Sequence, residues 1–105
     1  MKEYKDLLKI SKGFIDKKHH KKIKSLKNEE EKINLLKYLI ISKIKLMQIE
    51  LEILLKNSKK SADFEILLLK ISNISHKITL LEHNLNEKDF KKIELLIDDI
   101  KSKVI

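Results

Sequence analysis

The chain has 105 residues, a hydrophobic fraction of 42% and a formal net charge of +8, with one glycine and no proline or cysteine. Without cysteine, a disulfide scaffold and thiolate chemistry are excluded, and one glycine cannot form a glycine-rich phosphate-binding loop. So few turn-forming residues favour long helices. We therefore expect one all-α domain over residues 1–105, built as an antiparallel helical hairpin or bundle around one long central helix.

No apolar run approaches the roughly 20 residues that a membrane span requires. The first residues are charged throughout and do not resemble a signal peptide. We expect a soluble, cytoplasmic protein, with peripheral binding at the inner membrane surface as a further location.

The first helix is predicted over residues 2–12. Tyr4, Leu7 and Leu8 recur at helical spacing. Gly13 is the only residue free to adopt a left-handed turn at little cost, so we expect this helix to end near it.

The second helix is predicted as one long element over residues 16–57, because five apolar residues are spaced by seven: Leu26, Ile33, Ile40, Met47 and Leu54. Asn28 and the three glutamates after it resemble a helix start. A break there would usually shift the spacing of the apolar residues. Because the spacing of seven continues without a shift, we favour one continuous helix roughly 60 Å long.

This helix carries two apolar faces. The first face holds Ile33, Leu36, Ile40, Ile44, Met47, Leu51 and Leu54. The second lies roughly 140° round at 3.6 residues per turn and holds Leu35, Leu39, Leu46, Ile49 and Ile53. A helix that is apolar on two sides needs two neighbours, so we predict that the second face mediates self-association into a homo-oligomer.

Two further helices are predicted over residues 61–85 and 87–103. Ser61 is the expected N-cap of the third helix, and Asn86 with Asp89 starts the fourth. The third helix should pack antiparallel on the second through residues spaced alternately by three and four: Phe64, Leu67, Ile71, Ile74, Ile78, Leu81 and Leu85.

Positive charge is concentrated near the N-terminus, where ten of the 24 lysines and only three acidic residues precede residue 28. This asymmetry indicates an anionic partner such as lipid headgroups, a nucleic-acid backbone or an acidic protein segment. A solvated helix face is the alternative interpretation. The predicted polyanion-binding residues are Lys17, Lys18, Lys21, Lys22, Lys24 and Lys27.

We predict neither catalysis nor a bound metal or cofactor, because the candidate groups do not converge. His76 and His83 are seven residues apart, whereas chelation on a helix prefers four. The adjacent histidines, His19 and His20, diverge on a helix, and Asp16 is spaced to pair with His20. Asp98 and Asp99 are also adjacent, so their carboxylates diverge.

Several stretches resemble the archaeal ESCRT-III-type division proteins of the CdvB group. "DKKHHKKIKSLKNEEEKINLLKYLIISKIKLMQIELEILL" resembles their second helix, with an Asn28–Glu29 pair followed by a stretch that holds Leu46, Gln48, Ile49 and Leu51. "SADFEILLLKISNISHKI" and "NEKDFKKIELLIDDIKSKV" resemble the two helices that follow. The resemblance implies a protein that polymerises through helical hairpins, binds anionic membrane through a basic surface and is remodelled by an AAA ATPase.

The sequence therefore predicts a non-enzymatic, self-assembling helical scaffold that binds anionic membrane surfaces in membrane remodelling or cell division. One alternative is a small basic helical subunit of a ribonucleoprotein complex that contacts the nucleic-acid backbone. Another is an adaptor that binds a helix of another protein.

Overall fold

Apolar residues at helical spacing generate every regular element of the fold. The computed structural model describes residues 2–104 and places five helices within them, without a strand: α1 (Lys2–Ser11), α2 (Lys17–Lys24), α3 (Glu29–Ser58), α4 (Phe64–His83) and α5 (Glu87–Val104). The all-α prediction is confirmed, with α3 as the long central helix, a shorter N-terminal helix and a short C-terminal one.

Helix α3 is the axis of the structure, because it contacts each of the other four helices. Its inner face is buried as predicted, through Ile33, Leu36, Ile40, Ile44, Met47, Leu51 and Leu54. The molecule is elongated, measuring 54 × 25 × 16 Å. Its radius of gyration is 15.8 Å, against about 13 Å for a compact 100-residue domain.

Helices α3, α4 and α5 run up, down and up around a shared core. The Gln48 amide donates to Glu82 at 2.9 Å, which ties the middle of α3 to the end of α4. Lys101 of α5 forms an ion pair with Glu50 of α3, and this contact raises the pKa of Lys101. Burial raises the pKa of Glu94 on the same side of α5.

Helix α4 presents its predicted seam to this core. Five of the seven seam residues are buried: Leu67, Ile71, Ile74, Ile78 and Leu81. Phe64 and Leu85, at the two ends of the seam, are only half-buried.

Helix α1 crosses the end of the bundle where α3 and α5 begin. Glu3 forms a 2.8 Å ion pair with Lys37, and the Lys32 ammonium lies 5.6 Å from the centre of the Tyr4 ring. In the segment after α1, the Phe14 ring lies 5.9 Å from the ring of Phe90 at the start of α5. These contacts fix the corner from which α2 departs.

The prediction of one helix over residues 16–57 is wrong, because residues 25–28 separate α2 from α3. Ser25 closes α2, with its hydroxyl donating to the Lys22 carbonyl at 2.7 Å. Asn28 is extended, at φ −97° and ψ 123°, and its side chain accepts from the backbone N–H of Glu30 at 2.8 Å.

Local capping explains this break. Three glutamates occupy the positive first turn of α3, and lysines fill the negative last turn of α2. The end of α2 and the start of α3 are thus each stabilised by their own residues. A continuous helix would bury little additional apolar surface at this point, because Leu26 is only half-buried.

The start of α4 also differs from the prediction. Ser61 does not cap a helix at residue 61, because its hydroxyl accepts from Asp63 N–H at 3.2 Å within a turn, and α4 begins at Phe64. The start of α5 agrees with its predicted cap. The Asn86 side chain accepts from Asp89 N–H at 2.8 Å and donates to the Asp89 carboxylate at 2.9 Å.

We predict that Ile78→Ala, which empties a fully buried position, lowers the free energy of unfolding by about 2–5 kcal/mol. Leu69→Ala on the same helix is the matched control, because Leu69 is 72% exposed, and it should change stability by about 0.5 kcal/mol or less. Urea denaturation followed by circular dichroism measures both. Equal destabilisation by the two changes would contradict this assignment of the core.

Candidate polyanion-binding surface

Helix α2 is an eight-residue segment that tertiary contacts hold in place. An isolated helix shorter than about 12 residues is marginal in water. Two of its side chains, His20 and Ile23, are buried against the rest of the fold, with Ile23 only 2% exposed. These two residues define the inward face of α2 and turn its lysines toward solvent.

Asp16 starts α2. Its carboxylate accepts from His19 N–H at 2.9 Å and lies 2.6 Å from Nδ1 of the same residue. The backbone N–H of His19, followed by its imidazole, lowers the pKa of Asp16. Asp16 therefore pairs with His19 and not with His20, the partner that the spacing suggested.

His20 is buried and anchors α2 to the end of α1. Its Nε2 lies 3.2 Å from the hydroxyl of Ser11, which is itself fully buried. That hydroxyl donates to the Leu8 carbonyl at 3.0 Å. Since the single hydroxyl proton of Ser11 is used in the bond to Leu8, Nε2 of His20 is the donor in its contact with the Ser11 oxygen.

The six predicted lysines are all exposed, and none forms an ion pair with another residue in the described part of the chain. Lys17, Lys21 and Lys24 form one flank of α2 and line a shallow groove of about 460 Å³. Lys18 and Lys22 lie on the outer face of α2, and Lys27 lies in the segment before α3. The structure thus places five of the six on one short helix.

Lys12 is a member of this surface that sequence reasoning missed. It lines the same groove from the end of α1, and Ile15 and His20 complete the lining. The buried His20 and Ser11 pair creates this proximity by folding α2 back toward α1. The local sequence does not indicate that Lys12 belongs to this surface, because Lys12 comes near the lysines of α2 only when the chain turns between α1 and α2.

The five residues of α3 predicted to mediate self-association differ in their exposure. Leu46, Ile49 and Ile53 are 52–60% exposed, and Leu35 is 37% exposed. Leu39 is half-buried and packs against the core, so it lies at the edge of the exposed face.

The remaining candidate groups stay apart. His76, His83, Asp98 and Asp99 are all exposed. Among residues 2–104, no three histidine or acidic side chains are close enough to hold a metal ion. Within the same residues, no helix combines the length and apolar character needed to cross a bilayer.

Comparison of the chain with models of protein families, with curated proteins and with solved structures found no significant match. The resemblance to the ESCRT-III-type proteins stays a prediction.

We predict that Asp16→Ala speeds amide hydrogen exchange at His19 and His20, because it removes the carboxylate that caps α2. The effect of the carboxylate is complete above its ordinary pKa of 3.8 and is lost as pH falls through the lower pKa of the folded state. Asp98→Ala, at an exposed position of α5, is the control and should leave α2 unchanged. Unchanged exchange in Asp16→Ala would show that the cap does not support α2.

Proposed function

We propose that this protein is a non-enzymatic helical scaffold that self-associates and binds anionic membrane surfaces through its N-terminal lysines. One observation carries the binding half of the proposal: α2 exposes five lysines without an acidic partner in the described residues. From residue 28 onward, by contrast, fourteen lysines are balanced by thirteen acidic residues.

The energetics of the cluster support an external partner. Like charges at i,i+4, such as Lys17 with Lys21 and Lys18 with Lys22, destabilise a helix by a few tenths of a kcal/mol per pair. Asp16, the acidic residue nearest in sequence, is engaged with His19. An anionic surface offsets this repulsion, because each lysine near an acidic bilayer contributes about 1 kcal/mol.

Lipid headgroups suit this surface better than single-stranded nucleic acid. The groove between Lys12, Lys17, Lys21 and Lys24 has an apolar residue, Ile15, in its lining. The nearby aromatic rings are engaged within the fold, Phe14 with Phe90 and Tyr4 with Lys32. Base stacking, which sequence-tolerant binding of single strands requires, therefore has no support at this site.

An ESCRT-III-like role in membrane remodelling, with an AAA ATPase as partner, is the finer form of this proposal. Its support is the sequence resemblance alone, and the stretch with the strongest resemblance is divided between α2 and α3. Under this proposal the protein works in the cytoplasm and binds peripherally at the inner membrane surface.

We predict that reversing Lys17, Lys18, Lys21 and Lys22 to glutamate abolishes flotation with vesicles of phosphatidylserine and phosphatidylcholine. At about 1 kcal/mol per lysine, the loss of four contacts alone weakens binding roughly 1000-fold. Helicity should persist, because these side chains are exposed and glutamate at positions 17 and 18 suits the first turn of α2, which offsets the loss of Lys21 and Lys22 from its last turn. Flotation of the unchanged protein should fall steeply as salt is raised.

The matched control reverses Lys59, Lys60, Lys88 and Lys92, which are equally exposed and lie outside the cluster. Either set of four changes takes the formal charge from +8 to zero. Retained flotation in the control and loss in the α2 variant support a localised site. Equal loss in both would assign binding to net charge, and binding to duplex DNA but not to vesicles would contradict a lipid partner.

A further inference from the structure

The outer face of α3 carries a heptad seam. Its positions are separated by four, three, four, three and four residues: Leu35, Leu39, Ser42, Leu46, Ile49 and Ile53. This alternation is the spacing of a coiled-coil interface, and five of the six residues are apolar. The seam spans roughly 27 Å at 1.5 Å per residue.

The other helices of the chain leave most of this seam exposed, although Leu39 and Ser42 are half-buried. Helix α1 contacts α3 near Lys37, α4 near Gln48 and α5 near Glu50. Lys37 and Gln48 point to other sides of α3 and Glu50 lies at the edge of the seam, while Leu46 remains 60% exposed and Ile53 remains 52% exposed. One face is therefore open, with room for one further helix.

We propose that the seam packs against the same seam of a second copy, with the two α3 helices parallel and related by a two-fold axis. The proposal deepens the self-association proposed above and rests on it. In the parallel arrangement each seam residue meets its own equivalent, so all six layers align and only the Ser42 layer is polar.

Charges beside the seam favour the parallel arrangement. Lys45 precedes a seam leucine and Glu50 follows a seam isoleucine. In a parallel pair, these flanking positions face each other five residues apart, so Lys45 meets Glu50 of the second copy, and symmetry repeats the contact. Glu50 already accepts from Lys101, and a carboxylate can accept from a second ammonium.

An antiparallel pair of α3 helices would either place like charges opposite each other or lose apolar contacts. A centred antiparallel pair places Lys45 against its equivalent and Lys43 against its equivalent at the middle of the interface. Sliding the pair by one heptad removes that repulsion, but it moves Leu39 opposite Lys56 and leaves Leu35 beyond the end of the second α3, which stops at Ser58. Only the parallel pair keeps both the apolar layers and complementary charges.

The ends of the seam limit its strength. The next seam positions in either direction are Lys32 and Lys56, so the apolar stretch covers fewer than three full heptads. Coiled coils recognised from sequence usually extend over three or four. The dimer should accordingly be weak and depend on concentration.

Sedimentation equilibrium tests the interface, with Leu46→Glu as the variant and Leu69→Glu as its matched control on α4. The unchanged protein should approach twice its 12.5 kDa monomer mass as concentration rises, and Leu46→Glu should stay monomeric with unchanged circular dichroism. Leu69, at 72% exposure, should tolerate the charge without loss of the dimer. A strict monomer, a larger oligomer, or a dimer indifferent to Leu46→Glu would overturn the proposal.

Disulfide trapping tests the orientation, because the chain has no cysteine of its own. Leu35→Cys and Ile53→Cys should each cross-link to itself on mild oxidation, since a disulfide requires Cα atoms within about 7 Å. Leu95→Cys, on the exposed side of α5, is the control that should not cross-link. Cross-linking only in a mixture of Leu35→Cys and Ile53→Cys would show an antiparallel pair and overturn the parallel one.

These outcomes separate this inference from the proposed function. A strict monomer defeats the parallel dimer and the self-association on which it rests. An antiparallel dimer defeats only the parallel arrangement. Vesicle flotation is measured independently of both, so loss of the dimer in Leu46→Glu leaves the lysine site open to its own test.

Discussion

Burial of one stripe of α3 is the constraint on which the fold depends. Leu36, Ile40 and Ile44 have no exposed surface, and every other helix of the structure contacts α3. Because α1, α4 and α5 surround that stripe, they leave the opposite side of α3 open. The same arrangement leaves α2 at the edge of the bundle, where only His20 and Ile23 connect it to the interior. Both candidate interaction surfaces therefore follow from how α3 is covered.

Much of this core could be predicted from spacing alone. The inner face of α3 and most of the α4 seam repeat every three or four residues, and burial follows that repeat closely. The break between α2 and α3 could not be found this way, because Leu26 keeps the heptad phase whether or not the helix is continuous. The side chain of Asn28 caps α3 and thereby sets the position of the break. Lys12 joins the basic surface only through the fold, by means of the buried contact between Ser11 and His20.

The division into α2 and α3 has a functional consequence under the proposed role. Lysines on one continuous helix of roughly 60 Å would spread along an extended rod. On a separate short helix, Lys17, Lys21 and Lys24 gather with Lys12 around one groove. The basic surface and the apolar seam then belong to different helices, so the two proposed interactions use separate parts of the chain. A weak dimer would double the number of lysines presented to a bilayer and strengthen binding through multivalency.

The most direct test of the account asks which part of the molecule contacts an acidic bilayer. Ser25→Cys at the end of α2 and Ser102→Cys in α5 are matched positions, because both are exposed and both hydroxyls donate to a backbone carbonyl at 2.7 Å. An environment-sensitive fluorophore on each cysteine is titrated with phosphatidylserine vesicles. We predict a change in emission at residue 25 and none at residue 102. An equal change at both positions, or a change at residue 102 alone, would contradict it.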